Sequence, residues 1–169
     1  GVLVRNLQGL EALASVDTLV FDKTGTLTRD GLVLRALTPA AGQNKDELLA
    51  LAAMLASQSM HPASKALVRA FEAVQLPASE WVLDAVQEVA GSGLDVWVQS
   101  KTGEQELGER LHLRLGSAQH CNSHELAPEE SGQSVMLAEE IDGAWRPLAQ
   151  FHLSEDLRAE ARSVIEALK

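Results

Sequence analysis

Between Trp81 and His152 the β-prone runs Trp81–Val89, Leu94–Val98, Leu111–Leu115, Ser134–Ile141 and Trp145–His152 follow one another with Gly-rich or acidic turns and few helical signals between them. Parallel neighbours need a crossover of a dozen or more residues, usually a helix, so strands joined largely by turns predict an antiparallel sheet. Asp142-Gly143, between the last two runs, is a strong two-residue hairpin signal. Leu32–Leu37 reads as a further strand, leaving the polar Arg29-Asp30-Gly31 turn. The sheet's apolar face has a cover available. From Lys45 to Ser59 the residues Leu48, Leu49, Leu51, Ala52, Leu55 and Ala56 recur at helical intervals. His61-Pro62 interrupts the pattern, because Pro lacks an N–H and disfavours helix at the residue before it. A second helix then carries Ala66, Leu67, Ala70, Phe71 and Val74 on one side. The expected fold class is α+β, an antiparallel sheet flanked by a helical hairpin.

The two ends of the chain read differently. Leu7, Leu10, Glu11, Leu13 and Ala14 have near-helical spacing, and Thr18–Phe21 is a short apolar run that stops at Asp22 before a polar, Gly-containing turn. Parallel α/β strands deliver catalytic groups to their carboxyl edge in this way. A carboxylate there can attack a γ-phosphoryl group and hold it as an acyl phosphate. Lys23 supplies positive charge, and Thr24 and Thr26 supply hydroxyls and N–H groups. The plainer reading is that Asp22 caps a turn. Asp156–Lys169 closes the chain as a helix, with Leu157, Ala161, Val164, Ile165 and Leu168 on its apolar stripe.

A formal charge of −10 on 169 residues argues against a nucleic-acid partner, which demands a basic face. A single cysteine, Cys121, precludes an internal disulfide framework and suits a reducing compartment. Nothing approaches the run of about 18 apolar residues needed to span a membrane, and no secretory-type leader opens the sequence. His120-Cys121-Asn122-Ser123-His124 has metal-ligand residue types at close spacing, but no second ligand pair lies at a recognisable interval, which favours a polar loop.

Asp22–Thr28, read Asp-Lys-Thr-Gly-Thr-Leu-Thr, resembles the phosphorylation signature of P-type ATPases. In the wider haloacid-dehalogenase superfamily, phosphatases carry a second acid two residues after the nucleophile, and here that position is Thr24. Loss of an acid–base group slows proton-dependent steps by about 10²–10⁴-fold, so an aspartyl phosphate formed here is expected to persist. Ser59–Ala66, with His61-Pro62, resembles the nucleotide-binding signature of the heavy-metal (P1B) class. Gly91-Ser92-Gly93 and Leu115-Gly116-Ser117 match two later elements of that domain, with glycines that permit close backbone approach to a ligand. Two positions depart from the pattern: Ala56 and Met60 stand where the family resembled carries Glu.

This resemblance implies ATP binding at His61, Pro62, Gly91, Gly93, Gly116 and Ser117. It implies Asp22 as phosphorylated nucleophile with Lys23 and Thr24, and an incomplete Mg²⁺ site at Asp22 and Thr24. It divides the chain into a nucleotide-binding domain, residues 30–153, between arms of an α/β haloacid-dehalogenase-like phosphorylation domain, residues 1–29 and 154–169. Glu155 or Asp156 would cap the helix of the second arm. The family's later Thr-Gly-Asp and Gly-Asp-Gly-x-Asn-Asp segments are not in these residues, so the resemblance implies a cytoplasmic piece of a larger membrane pump, inactive alone. The remainder of that pump would be its partner and copper its leading cargo. The competing expectations are a non-catalytic nucleotide-binding module and a soluble phosphatase of the same superfamily.

Overall fold

The computed structural model describes residues 15–22, 26–101, 108–124, 126–127 and 132–168. Its chain divides into two compact units, Asp30–Asp156 and Gly1–Arg29 with Leu157–Lys169.

The larger unit is built on strands β1 (Thr28–Pro39), β2 (Trp81–Val89), β3 (Gly93–Ser100), β4 (Arg110–Gly116), β5 (Gln133–Ile141) and β6 (Ala144–Leu157). Their order in one six-stranded sheet is β1-β6-β5-β4-β3-β2. From β2 to β6 the sheet is an antiparallel meander, each strand pairing with the next in sequence. The β5–β6 hairpin turns at Asp142 and Gly143, with φ of 53° and 77°, and pairs Ile141 with Ala144. Positive φ at both central residues is the turn whose twist matches the flanking strands. Because β1 lies beside β6, the chain enters and leaves the sheet on neighbouring strands. Arg35 ties them, donating to Ser154 Oγ at 2.8 Å and to the Glu155 carbonyl at 3.3 Å, with Asp156 at 3.8 Å.

Helices α1 (Lys45–Ala56) and α2 (Pro62–Val74) cover one face of the sheet. Asn44 caps α1, its Oδ1 accepting from Asp46 N–H at 2.9 Å, and Asp46 and Glu47 complement the dipole in the first turn. Along β3, Leu94, Val96 and Val98 are buried in alternation, as a strand with one covered face requires. They join Leu113, Leu115, Val135, Leu137, Ala149, Phe151 and Leu153 from the other strands and Leu48, Leu55 and Leu67 from the helices in a single core.

On the opposite face the side chains form a charged, aromatic stack. Trp97 lies parallel to the His112 ring at 4.2 Å between centroids, and Trp145 meets it edge-on at 4.9 Å. Arg110 covers Trp97 and Arg114 covers Trp145. His112 faces Glu140 through Nδ1 and Asp95 through Nε2, each at 2.5 Å, an arrangement that the doubly protonated ring satisfies by donating from both nitrogens. Burial pushes the Asp95 carboxyl up, but hydrogen bonds and charge from His112 and Arg114 outweigh it and hold the group below its ordinary range.

Three expectations need correction. Thr18–Phe21 is not in a strand; Leu19, Val20 and Phe21 are 49%, 92% and 38% exposed. A strand buried on both faces takes its hydrogen bonds from partner strands on either side, and none of the described residues supplies one. The Arg29-Asp30-Gly31 turn is instead continuous with β1, with Gly31 at a φ of 111° that suits glycine. Finally, the last helix, α3 (Ala159–Ala167), begins three residues later than expected because β6 continues to Leu157. Glu155 and Asp156 therefore lie in the strand, and the α3 N-cap is Arg158, which makes no side-chain cap. The Arg158 N–H instead donates to the Leu27 carbonyl at 3.0 Å. The helix expected before Val16 lies largely outside the described residues. Among the described residues no helix is long and apolar enough to cross a membrane.

Candidate functional site: a cleft at the start of the second helix

Pro62 occupies the first turn of α2, where its missing N–H costs nothing and its fixed φ suits the helix. His61 is the N-cap: its Nδ1 accepts from Ala63 N–H at 3.2 Å. With Nδ1 an acceptor, the neutral ring carries its proton on Nε2 and retains a donor. The His61 N–H donates to Ser59 Oγ at 3.2 Å, and the buried Ser59 hydroxyl donates to Glu88 Oε1 on β2 at 2.6 Å. The imidazole thus stands on a hydrogen-bonded step between helix and sheet.

Across from it, the Ala90-Gly91-Ser92 loop joins β2 to β3, and Ser117 begins the segment after β4. Ser117 N–H donates to the Ser92 carbonyl at 3.0 Å, stitching the two loops together. Gly93 and Gly116 are opposite one another in the β3–β4 ladder. A Cβ on Gly93 would lie 2.3 Å from the Leu115 carbonyl oxygen, and one on Gly116 would lie 2.3 Å from that of Ser92. The His120 ring packs against both glycines, its Nε2 within 3.1 Å of the Leu94 carbonyl.

These pieces surround one cleft of about 150 Å³. His61, Gly91, Gly93, Gly116 and Ser117 all line it. Its apolar wall includes Leu67, Leu94 and Leu115, and its polar groups include Ser59, Glu88 and Ser134. Ser134 is fixed from behind by Gln150, which is fully buried and spends its remaining amide groups on the backbone of Leu126 and Ala127. The volume falls below the roughly 300 Å³ at which whole drug-sized ligands are enclosed, so the cleft suits a planar ring with the rest of the ligand in solvent.

Pro62 shapes this cleft without lining it. Ala56 is fully buried in the core and Met60 is 78% exposed; neither lines it. Sequence reasoning passed over Glu88 and Ser134, and gave Ser59 only as the first residue of the His-Pro segment. The Ser59–Glu88 contact joins residues 29 apart and follows from strand pairing that no local pattern encodes. Asp22 belongs to the smaller unit, where it is exposed; Lys23 and Thr24 lie outside the described residues. Cys121 is buried, with its thiol facing the Arg114 and Met136 carbonyls, and burial pushes its pKa up to about 12. Among the described residues no three His, Cys, Asp or Glu side chains gather as a metal site.

A model of the haloacid dehalogenase-like hydrolase family matches residues 16–169. The chain is 31% identical, over 99% of its length and 22% of the relative's, to a zinc/cadmium/lead-transporting P-type ATPase of Escherichia coli strain K12. It is 36% identical, over 80% of its length and 18% of the relative's, to a probable copper-exporting P-type ATPase V of Mycobacterium tuberculosis. The crystal structure of a zinc-transporting PIB-type ATPase in its E2.Pi state aligns with a TM-score of 0.61 at 27% identity, covering 86% of this chain and 23% of that one. The chain thus spans about a fifth of the length of the curated relatives it matches. It belongs to the haloacid dehalogenase-like hydrolase family, and its relatives there include heavy-metal-transporting P-type ATPases.

Proposed function

We propose that this chain is the ATP-binding and phosphoryl-accepting part of a heavy-metal P-type ATPase, with residues 30–153 the nucleotide-binding domain and residues 1–29 and 154–169 arms of the phosphorylation domain. The observation that carries the reading is the convergence of His61, Gly91, Gly93, Gly116 and Ser117 on one cleft, from three separate stretches of sequence. The adenine ring occupies the cleft, against Leu67, Leu94 and Leu115, while the triphosphate extends into solvent.

In the intact protein an Asp22 carboxylate oxygen attacks the γ-phosphorus, the bond to the β–γ bridging oxygen breaks, and ADP leaves with that electron pair. Lys23 offsets the developing negative charge and Thr24 donates to the phosphoryl oxygens. Thr24 cannot act as acid or base at ordinary pH, so hydrolysis of the acyl phosphate is slow enough to drive a conformational change. The same substitution disfavours a soluble phosphatase. Mg²⁺ prefers one or two carboxylates plus phosphate oxygens and water. The exposed Asp22 carboxylate fits as one hard ligand, with Thr24 beside it in sequence, and the ion when bound supplies charge neutralisation on the phosphates. The cargo is a heavy-metal cation, with copper the first candidate beside zinc and cadmium; the partners are ATP and the remainder of the pump, and the chain faces the cytosol.

An amide-resolved NMR titration with ATP tests the cleft. The expected dissociation constant is on the order of 0.1–few mM, roughly 3.5–5.5 kcal/mol, with shifts centred on His61, Gly91, Gly93 and Gly116 and weakened by His61→Ala. Shifts scattered over the surface, or none up to several mM, would remove the nucleotide-binding assignment.

A further inference from the structure

Among the described residues that line the cleft, Glu88 is the one acidic side chain, and His61 uses Nδ1 as an acceptor. Its carboxylate is anchored at the rim by the Ser59 hydroxyl through Oε1, which leaves Oε2 as an acceptor with no donor among the described contacts. A carboxylate at the exposed rim disfavours a triphosphate and can accept an N–H, so the Glu88 end of the cleft suits the base. His61, which lines the same cleft, offers a donor through its Nε2–H. One donor beside one free acceptor matches the edge of adenine, where an exocyclic amino group adjoins a ring nitrogen acceptor. Guanine presents paired N–H donors, which ask for both carboxylate oxygens.

Resting on the nucleotide-binding reading above, we propose that Glu88 is the specificity-determining residue of the cleft, accepting a hydrogen bond from the adenine amino group. Ser59 acts as its positioning residue, and the pairing selects ATP over GTP and over purines that lack the amino group. Glu88 lies outside the glycine and His-Pro elements that frame the cleft, whereas Ser59 opens the His-Pro element.

The test is an NMR titration of the chain with ATP, GTP and purine riboside triphosphate, which differs from ATP only by the missing amino group. Wild type is expected to bind ATP about 5–10-fold more tightly than purine riboside triphosphate, as for one hydrogen bond to a partly solvated charged group. The ratio should fall to about one in Glu88→Ala and largely survive in Glu88→Gln, which keeps a carbonyl acceptor. A merely structural role for Glu88 would weaken both ligands equally in Glu88→Ala and leave the ratio unchanged, which overturns the proposal while the nucleotide cleft stands. Wild type that binds ATP no better than purine riboside triphosphate, or that prefers GTP, overturns it without reference to any variant. Wild type that binds none of the three removes the nucleotide cleft itself and this assignment with it.

Discussion

Gly93 and Gly116 owe their identity to each other. Their backbones pass so closely that a methyl on either meets a carbonyl oxygen, a contact that only backbone displacement can relieve. Gly91, two residues away, has nothing within 4 Å of the place a methyl would take and is constrained only by its φ of 71°. Gly91→Ala is therefore expected to cost about 1–2 kcal/mol from the left-handed backbone alone. Gly93→Ala combines strain at φ 152° with a backbone clash and should cost about 1–3 kcal/mol more. Urea unfolding of the two variants, followed by tryptophan fluorescence, separates these costs. Equal losses would mean that the close approach of β3 to β4 is not what demands glycine at 93. The Gly-x-Gly spacing is visible in the sequence, but that its second glycine abuts Gly116 is not, because the pairing depends on the β3–β4 register.

At the scale of elements, most of the sheet and the helical hairpin were legible because each strand has one covered face and each helix one apolar stripe, the two periodicities that sequence displays directly. Asp142-Gly143 and His61-Pro62 were legible for a different reason: turn and cap chemistry is local. The apolar run Thr18–Phe21 misled because a buried parallel strand is specified by its neighbours, and β6 outran its expected end because pairing with β1 extended it. The cleft was legible in its glycines and His61 but not in Glu88, which looks like any solvent-facing strand residue. Two acids on the sheet show the same dependence on neighbours, with opposite sign. Asp95 has a lowered folded pKa, so it contributes stability above its ordinary value of 3.8 that is lost as the pH falls through the folded pKa. Asp95→Asn is expected to cost about 1–3 kcal/mol at pH 7, and the gap to wild type should narrow below pH 3.8. Glu139 is raised, by burial first and then by the charge of Glu109, so its ionised form disfavours the fold above its ordinary 4.5. Glu139→Gln should therefore be mildly stabilising at pH 7 and neutral below pH 4.5. Denaturant midpoints across this range for both variants check the signs, and parallel behaviour of the two would refute the argument.

For the whole molecule, what matters is where the stabilising contacts lie. Every residue of the main core falls between Leu48 and Leu153, and the partly buried residues packed on it begin at Leu32. The sheet apart from Thr28, Arg29 and Leu157 at the ends of β1 and β6, both covering helices and all the described residues lining the cleft belong to the unit Asp30–Asp156. The Arg35 contacts that join β1 to β6 are also internal to it. The smaller unit contributes the buried Thr28, the helix α3, none of whose described residues is buried, and exposed apolar side chains at Val20, Val164 and Leu168. A chain cut to residues 30–156 should therefore fold by itself, since it keeps the apolar burial that dominates stability. Its amide spectrum should overlay that of the full chain except near the cuts, and its nucleotide affinity should agree within about twofold, a difference below about 0.5 kcal/mol. Loss of dispersion in that spectrum would show that residues 15–29 or 157–168 supply stability beyond their visible burial. Retained dispersion with lost binding would place part of the nucleotide's contacts in the smaller unit, against the assignment of the cleft to Asp30–Asp156 alone.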